Sequence, residues 1–168
     1  LTYTPAMYAS DLEISKLCEV VGKYGGYYAP HHRNYGAKFL EAIDACIEIS
    51  KSSNCPVHLT HCHMSHPSLH DKTDLLFDRL RNAKKSGIEV TLDSYPYLAG
   101  MTYLHALLPS WCQAGSKQDL INRIKSPHER SKIIDNLMVT GSDGAHGNTL
   151  NFETIVIAGV EKATEFVG

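Results

Sequence analysis

The stretch "CPVHLTH", residues 55–61, decides the fold. It is a short apolar run between two helical patterns. Upstream, Phe39, Leu40, Ile43, Ile47 and Ile49 recur at helical spacing until about Ser52. Downstream, "DKTDLLFDRLRNAKKSG" (71–87) puts Leu75, Leu76, Leu80 and Ala83 on one face and ends with Lys84 and Lys85 before a glycine. A run of this length between two helices reads as a buried strand. "GYYAPHH" (26–32) and "IEVTLDSYPY" (88–97) stand in the same relation to their neighbouring helices. Strands separated by helices pair in parallel, because the helical crossover carries the chain back to the end of the sheet at which the previous strand began.

Working outward, Ser10 and Asp11 followed by Glu13 form a helix start, and Leu12, Leu17, Val20 and Val21 carry its apolar spacing to Gly25 and Gly26. Beyond Tyr97, "QDLINRIKS" (118–126) and "HERSKIIDNL" (128–137) read as helices, "TGSDGAHGNT" (140–149) as a polar loop and "ETIVIAGV" (153–160) as a fourth strand. The expected fold is α/β, with four alternating parallel βα units in one domain over residues 1–168. That is about half of a TIM (β/α)8 barrel, which needs eight strands and ~250 residues. An open, doubly wound sheet is the other architecture with this alternation.

Hydrophobic residues make up 43% and charged residues 20% of the chain, the balance of a soluble globular domain with no apolar run long enough for a membrane span. A net charge of −2 with scattered Lys and Arg supplies no field for nucleic acid. "LTYTPAMYAS" (1–10) has neither the basic nor the apolar region of a signal peptide, and five irregularly spaced cysteines suit a reducing compartment. A cytoplasmic setting is expected. No G-x-G-x-x-G follows a strand, and there is no phosphate-binding P-loop or G-x-S-x-G elbow.

In both architectures chemistry gathers at the carboxyl ends of the strands. The first strand ends in His31 and His32, of which alternation lets one face inward with Tyr27 and Ala29; the second ends in His61, in phase with Val57 and Leu59, with His63 beyond; the third offers Asp93, Tyr95 and Tyr97. Neutral imidazoles from neighbouring strands can share one zinc ion. Cys62 falls out of phase with His61 and reads as a packed thiol, while His58 reads as outward-facing and His66 as a loop residue. "GSDGAHG" (141–147) has the letters of a catalytic loop and equally those of a turn, and it precedes a strand instead of ending one.

"LTYTPAMYAS", "YYAPHHRNYG" (27–36), "HLTHCH" (58–63) and "LDSYPYLAGMTYLHALLPSW" (92–111) together resemble the D-aminoacylase, or N-acyl-D-amino-acid deacylase, family of the amidohydrolase superfamily. The resemblance implies a central piece of a TIM barrel, roughly strands four to seven, with a zinc site. It implies His31 and His61 as metal ligands, Tyr95 as the residue that binds substrate and polarises the scissile carbonyl, and Arg33 as a substrate-binding residue. His63 stands where many members carry a substrate-contacting Lys, and the resemblance implies it as a further substrate-binding residue.

The implied reaction is metal-dependent hydrolysis of an N-acyl-D-amino acid to a carboxylate and a D-amino acid. The strand-one His-x-His pair, the strand-two bridging Cys and the strand-eight Asp of the family have no counterparts in the chain. An isolated piece of this kind is expected to bind zinc weakly, to be inactive and to associate as a homo-oligomer through exposed barrel edges. The alternative is a non-catalytic metal-binding or interaction module.

Overall fold

Ser10 opens the first helix: its hydroxyl accepts the backbone N–H of Glu13, and Asp11 and Glu13 lie at the positive end of the helix dipole. The computed structural model describes residues 1–140, Asp143 and residues 150–167. Among these, the α-helices are α1 (Asp11–Lys23), α2 (Phe39–Ser53), α3 (Thr73–Lys85), α4 (Ser110–Gln113), α5 (Lys117–Lys125) and α6 (Pro127–Asp135), and the strands are β1 (Val57–Leu59) and β2 (Val90–Leu92). No described helix is long and apolar enough to cross a membrane.

β1 and β2 pair in parallel, with Val57 opposite Val90 and Leu59 opposite Leu92, and α3 joins them. The first expected strand is reduced to one parallel bridge, Tyr28 with Val57. Tyr28 donates to the Pro56 carbonyl, and its own carbonyl accepts from His58 N–H, both at 2.8 Å. The parallel α/β reading therefore holds for two successive crossovers. The fourth expected strand does not form. Residues 153–160 run from a 3-10 turn at Phe152–Thr154 into irregular chain, because a strand needs a neighbouring backbone to bond and none pairs with them among the described residues. The "GSDGAHG" loop lies outside the described residues except for Asp143, whose carboxylate accepts the Ser110 N–H at the start of α4.

The main core lies between the sheet and its helices. Val57, Leu59 and Val90 pack with Phe39 and Ile43 of α2 and Leu80 of α3. Each such side chain contributes about 1.5–3 kcal/mol by leaving water. Arg79 adds an ion pair to Asp44 at 2.8 Å between α3 and α2.

α1 packs on α2 in a second cluster through Ile14 and Cys18, not through the stripe that marks it as a helix. Leu12, Leu17 and Val20 are 70%, 64% and 53% exposed. Gly22 permits the close approach, since a Cβ there would stand 2.8 Å from the Asn54 carbonyl oxygen. A third, smaller cluster of Cys112, Ile133 and Leu137 holds the α4–α6 region together.

The face assignment also needs correction. Val57 and Leu59, expected to point inward with His61, face the helices instead, whereas His58 lies on the open face of the sheet beside Thr91 and Asp93. His61 escapes the period-two rule because it sits past the end of β1 with φ of 35°, which turns its side chain independently of the strand.

Candidate metal centre at the strand ends

The carboxyl ends of the parallel segments converge on four histidines. His61 Nε2 lies 2.6 Å from His31 Nδ1, and their rings stack with centroids 4.6 Å apart. His32, next to His31 in sequence, is fully buried on the opposite side against Tyr35 and Phe39, and neither of its ring nitrogens has a hydrogen-bond partner among the described residues. The adjacent pair in "YYAPHHRNYG" is thus divided between the open face and the core.

Tyr35 links these groups. Its hydroxyl oxygen accepts the His32 N–H at 3.0 Å and lies 2.9 Å from His61 Nδ1. Either tautomer of His61 keeps this contact: a proton on Nδ1 donates to Tyr35 and leaves Nε2 as a lone pair, and the reverse tautomer accepts from Tyr35. Tyr35 was not singled out from sequence, because it follows the strand in a loop where no periodicity marks it.

Burial lowers the pKa values of His31, His61 and His63, and for His31 and His63 the neighbouring His61 lowers it further. His32 is pushed down to about 3, first by burial and then by His61. The cluster is neutral near pH 7, the protonation state in which imidazole binds metal. Asp93 moves the opposite way. Its carboxyl is held below the usual range by hydrogen bonds from His58 and from the His61 backbone.

His63 stands edge-on to Tyr95 with ring centroids 4.5 Å apart, and its buried Nδ1 has no partner among the described residues. Tyr95 is partly exposed, and a Cβ added at Gly100 would come 3.0 Å from its hydroxyl. Arg33 points to the start of α1, where it donates to Asp11 Oδ1 at 2.8 Å and to the Ala9 carbonyl at 2.7 Å. Cys62 is buried in the main core and burial pushes its thiol up to about 12, far from the thiolate a metal needs.

The donor set fits a metal in its chemistry, since both groups are imidazole nitrogens. Two ligands on one tetrahedral zinc lie about 3.3 Å apart, so the His31 and His61 nitrogens would part by roughly 0.7 Å to share an ion. Among the described residues no group of three or more His, Cys, Asp or Glu is arranged to hold a metal. His31 and His61 bring two nitrogen donors together, one fewer than the three protein ligands of a catalytic zinc site.

No family model matches the chain. A D-aminoacylase of Alcaligenes xylosoxydans xylosoxydans is 33% identical over 103 residues, which are 61% of this chain and 21% of that protein. The crystal structure of a D-aminoacylase that defines a novel subset of amidohydrolases superposes with a TM-score of 0.55 at 30% identity, over 59% of this chain and 21% of that one. This chain resembles the D-aminoacylases. An N-acyl-D-glutamate deacylase from Bordetella bronchiseptica, solved with zinc and a phosphonate mimic of the tetrahedral intermediate, gives a TM-score of 0.56 at 25% identity over 58% of this chain and 20% of that one. The D-aminoacylase likeness covers about three fifths of the chain, which spans about a fifth of the length of these relatives.

Proposed function

We propose that the chain supplies part of the metal-dependent catalytic domain of an N-acyl-D-amino-acid deacylase. The convergence of His31 Nδ1 and His61 Nε2 at 2.6 Å, from the ends of neighbouring parallel segments, carries this reading. The crossovers through α2 and α3 are then consecutive units of a TIM barrel, and the open face carrying His58, Thr91 and Asp93 is its interior.

His31 and His61 would hold the metal, with zinc the ion their nitrogen chemistry suits. When bound, such an ion polarises a carbonyl and lowers the pKa of water. The chain's own residues bind and orient. The Tyr95 hydroxyl donates to the substrate carbonyl oxygen, and His63 beside it donates to the substrate carboxylate. A neutral His63 offers one N–H where a lysine would offer a full charge, so the carboxylate is held more weakly. Arg33 already grips a carboxylate, with its Nε and Nη2 both on Oδ1 of Asp11; a role in substrate binding requires that pair to open.

With two ligands and not three, the chain alone binds zinc weakly and does not turn over. The same shortfall among the described residues favours, as a second reading, a module of the same origin that does not hydrolyse substrate. The chain would associate through the sheet face and edges that a complete barrel covers.

Equilibrium dialysis against zinc tests the centre. His31→Ala and His61→Ala should each lower uptake by more than about tenfold. Uptake equal to wild type in both variants overturns the reading. Hydrolysis of an N-acyl-D-amino acid by the chain alone would instead overturn the assignment of an incomplete centre.

A further inference from the structure

His61 reaches His31 only because the chain leaves the sheet ladder just before it. Asp93 N–H donates to the Leu59 carbonyl at 3.2 Å, and the Asp93 carbonyl accepts the Cys62 N–H at 2.8 Å. One residue beyond β2 thus bonds both sides of a detour that contains Thr60 and His61. Within the detour His61 takes φ of 35°, a conformation unfavourable for a residue with a Cβ. Something must hold it there.

The holding contacts come from both neighbouring segments. Asp93 Oδ1 accepts the His61 backbone N–H, and the Thr60 hydroxyl donates to the Pro30 carbonyl on the other side. The second carboxylate oxygen of Asp93 accepts from His58 Nε2 at 3.0 Å, and Thr91 Oγ1 lies 2.8 Å from His58 Nδ1. In neutral His58 the Nε2 proton goes to the carboxylate, so the Thr91 hydroxyl donates to Nδ1. Thr91 therefore donates to His58 and His58 to Asp93, whose other oxygen accepts the His61 backbone N–H, so that both lines of hydrogen bonds converge on the carboxylate.

We propose that Asp93, oriented by His58 and Thr91, is a positioning residue that clamps His61 in its positive-φ detour and so aims Nε2 at His31. The inference rests on the reading of His31 and His61 as metal ligands, and it assigns a role to residues that touch neither metal nor substrate. A carboxylate suits the task because one group accepts two independent bonds, each strengthened by its charge. Asparagine keeps an acceptor for the His61 N–H, and its amide can donate to His58 once the imidazole and the Thr91 hydroxyl exchange donor and acceptor roles. Alanine keeps neither contact.

The test compares wild type with Asp93→Ala, Asp93→Asn and His58→Ala, using His61→Ala as the control for the metal reading. Two measurements are made on the whole chain: imidazole nitrogen NMR shifts without metal, and the dissociation constant for cobalt(II). Asp93→Ala should move the His61 ring shifts toward those of a solvent-averaged imidazole and weaken cobalt binding about 10- to 100-fold, with His58→Ala smaller in the same direction. Asp93→Asn should recover most of both.

Unchanged His61 shifts and cobalt affinity in Asp93→Ala overturn the clamp even when His61→Ala abolishes binding, which leaves the metal reading standing. If His61→Ala binds cobalt as wild type does, the metal reading falls, and the metal-free shifts still decide whether Asp93 positions the ring. Should Asp93→Ala not fold, His58→Ala decides by the same two measurements.

Discussion

One three-residue strand has two unlike faces. On the helix side, Val57 and Leu59 are 1% and 0% exposed and are held by contact with α2 and α3. On the other side, His58 lies between them in sequence and is held by hydrogen bonds to Thr91 and Asp93. The first kind of attachment is non-directional: it fixes where the strand lies but tolerates rotation of any one group. The second fixes angles, because a hydrogen bond weakens steeply when misaligned. The difference teaches that the helix face stabilises the strand, while the open face determines where its nitrogen atoms point.

Leu59→Ala should separate the faces most strongly. It removes a fully buried side chain and should cost about 2–5 kcal/mol, read from the urea midpoint by circular dichroism. A cost below ~1 kcal/mol would mean that the helix face is not the main source of stability.

Thr91→Val keeps the shape on the open face and removes only the hydroxyl, so about 1 kcal/mol is expected from the same measurement. A loss as large as that of Leu59→Ala would erase the contrast.

The smallest effect is expected away from both faces, in the capping box where Ser116 Oγ accepts the Asp119 N–H and Asp119 Oδ2 accepts the Ser116 N–H. The Asp119 carboxyl is held below its ordinary 3.8 by the Ser116 side chain and then its backbone. Its contribution is therefore complete above 3.8 and disappears as pH falls through the lower folded value. Amide exchange at the start of α5 should quicken over that interval, with no matching change at Leu59.

α2 and α3 were legible in the sequence because most of the apolar residues that define their spacing also make their packing, as Phe39, Ile43, Leu76 and Leu80 do. α1 was legible as a helix but not in orientation. Its spacing came from Leu12, Leu17, Val20 and Val21, whereas Ile14 and Cys18 meet α2; periodicity reports a helix without saying which face finds a partner.

The likeness to the D-aminoacylases and the meeting of His31 with His61 could be read from strand ends and motifs. The face of Val57 could not, because alternation was counted through Thr60 and His61 as if they continued the ladder. Asp93 appeared in the sequence only as one polar residue at a strand end. Its several contacts depend on a register between strands that no local pattern contains.

All five thiols, Cys18, Cys46, Cys55, Cys62 and Cys112, are free and buried. Burial also pushes the Cys46 thiol up to about 11 and the Cys62 thiol up to about 12. Reagents that attack thiolates can then reach Cys62 only when the layer behind His61 opens. Its labelling rate, set against that of Cys112 in the α4–α6 cluster, is a clock for breathing beneath the histidines, built into the native sequence with no added probe.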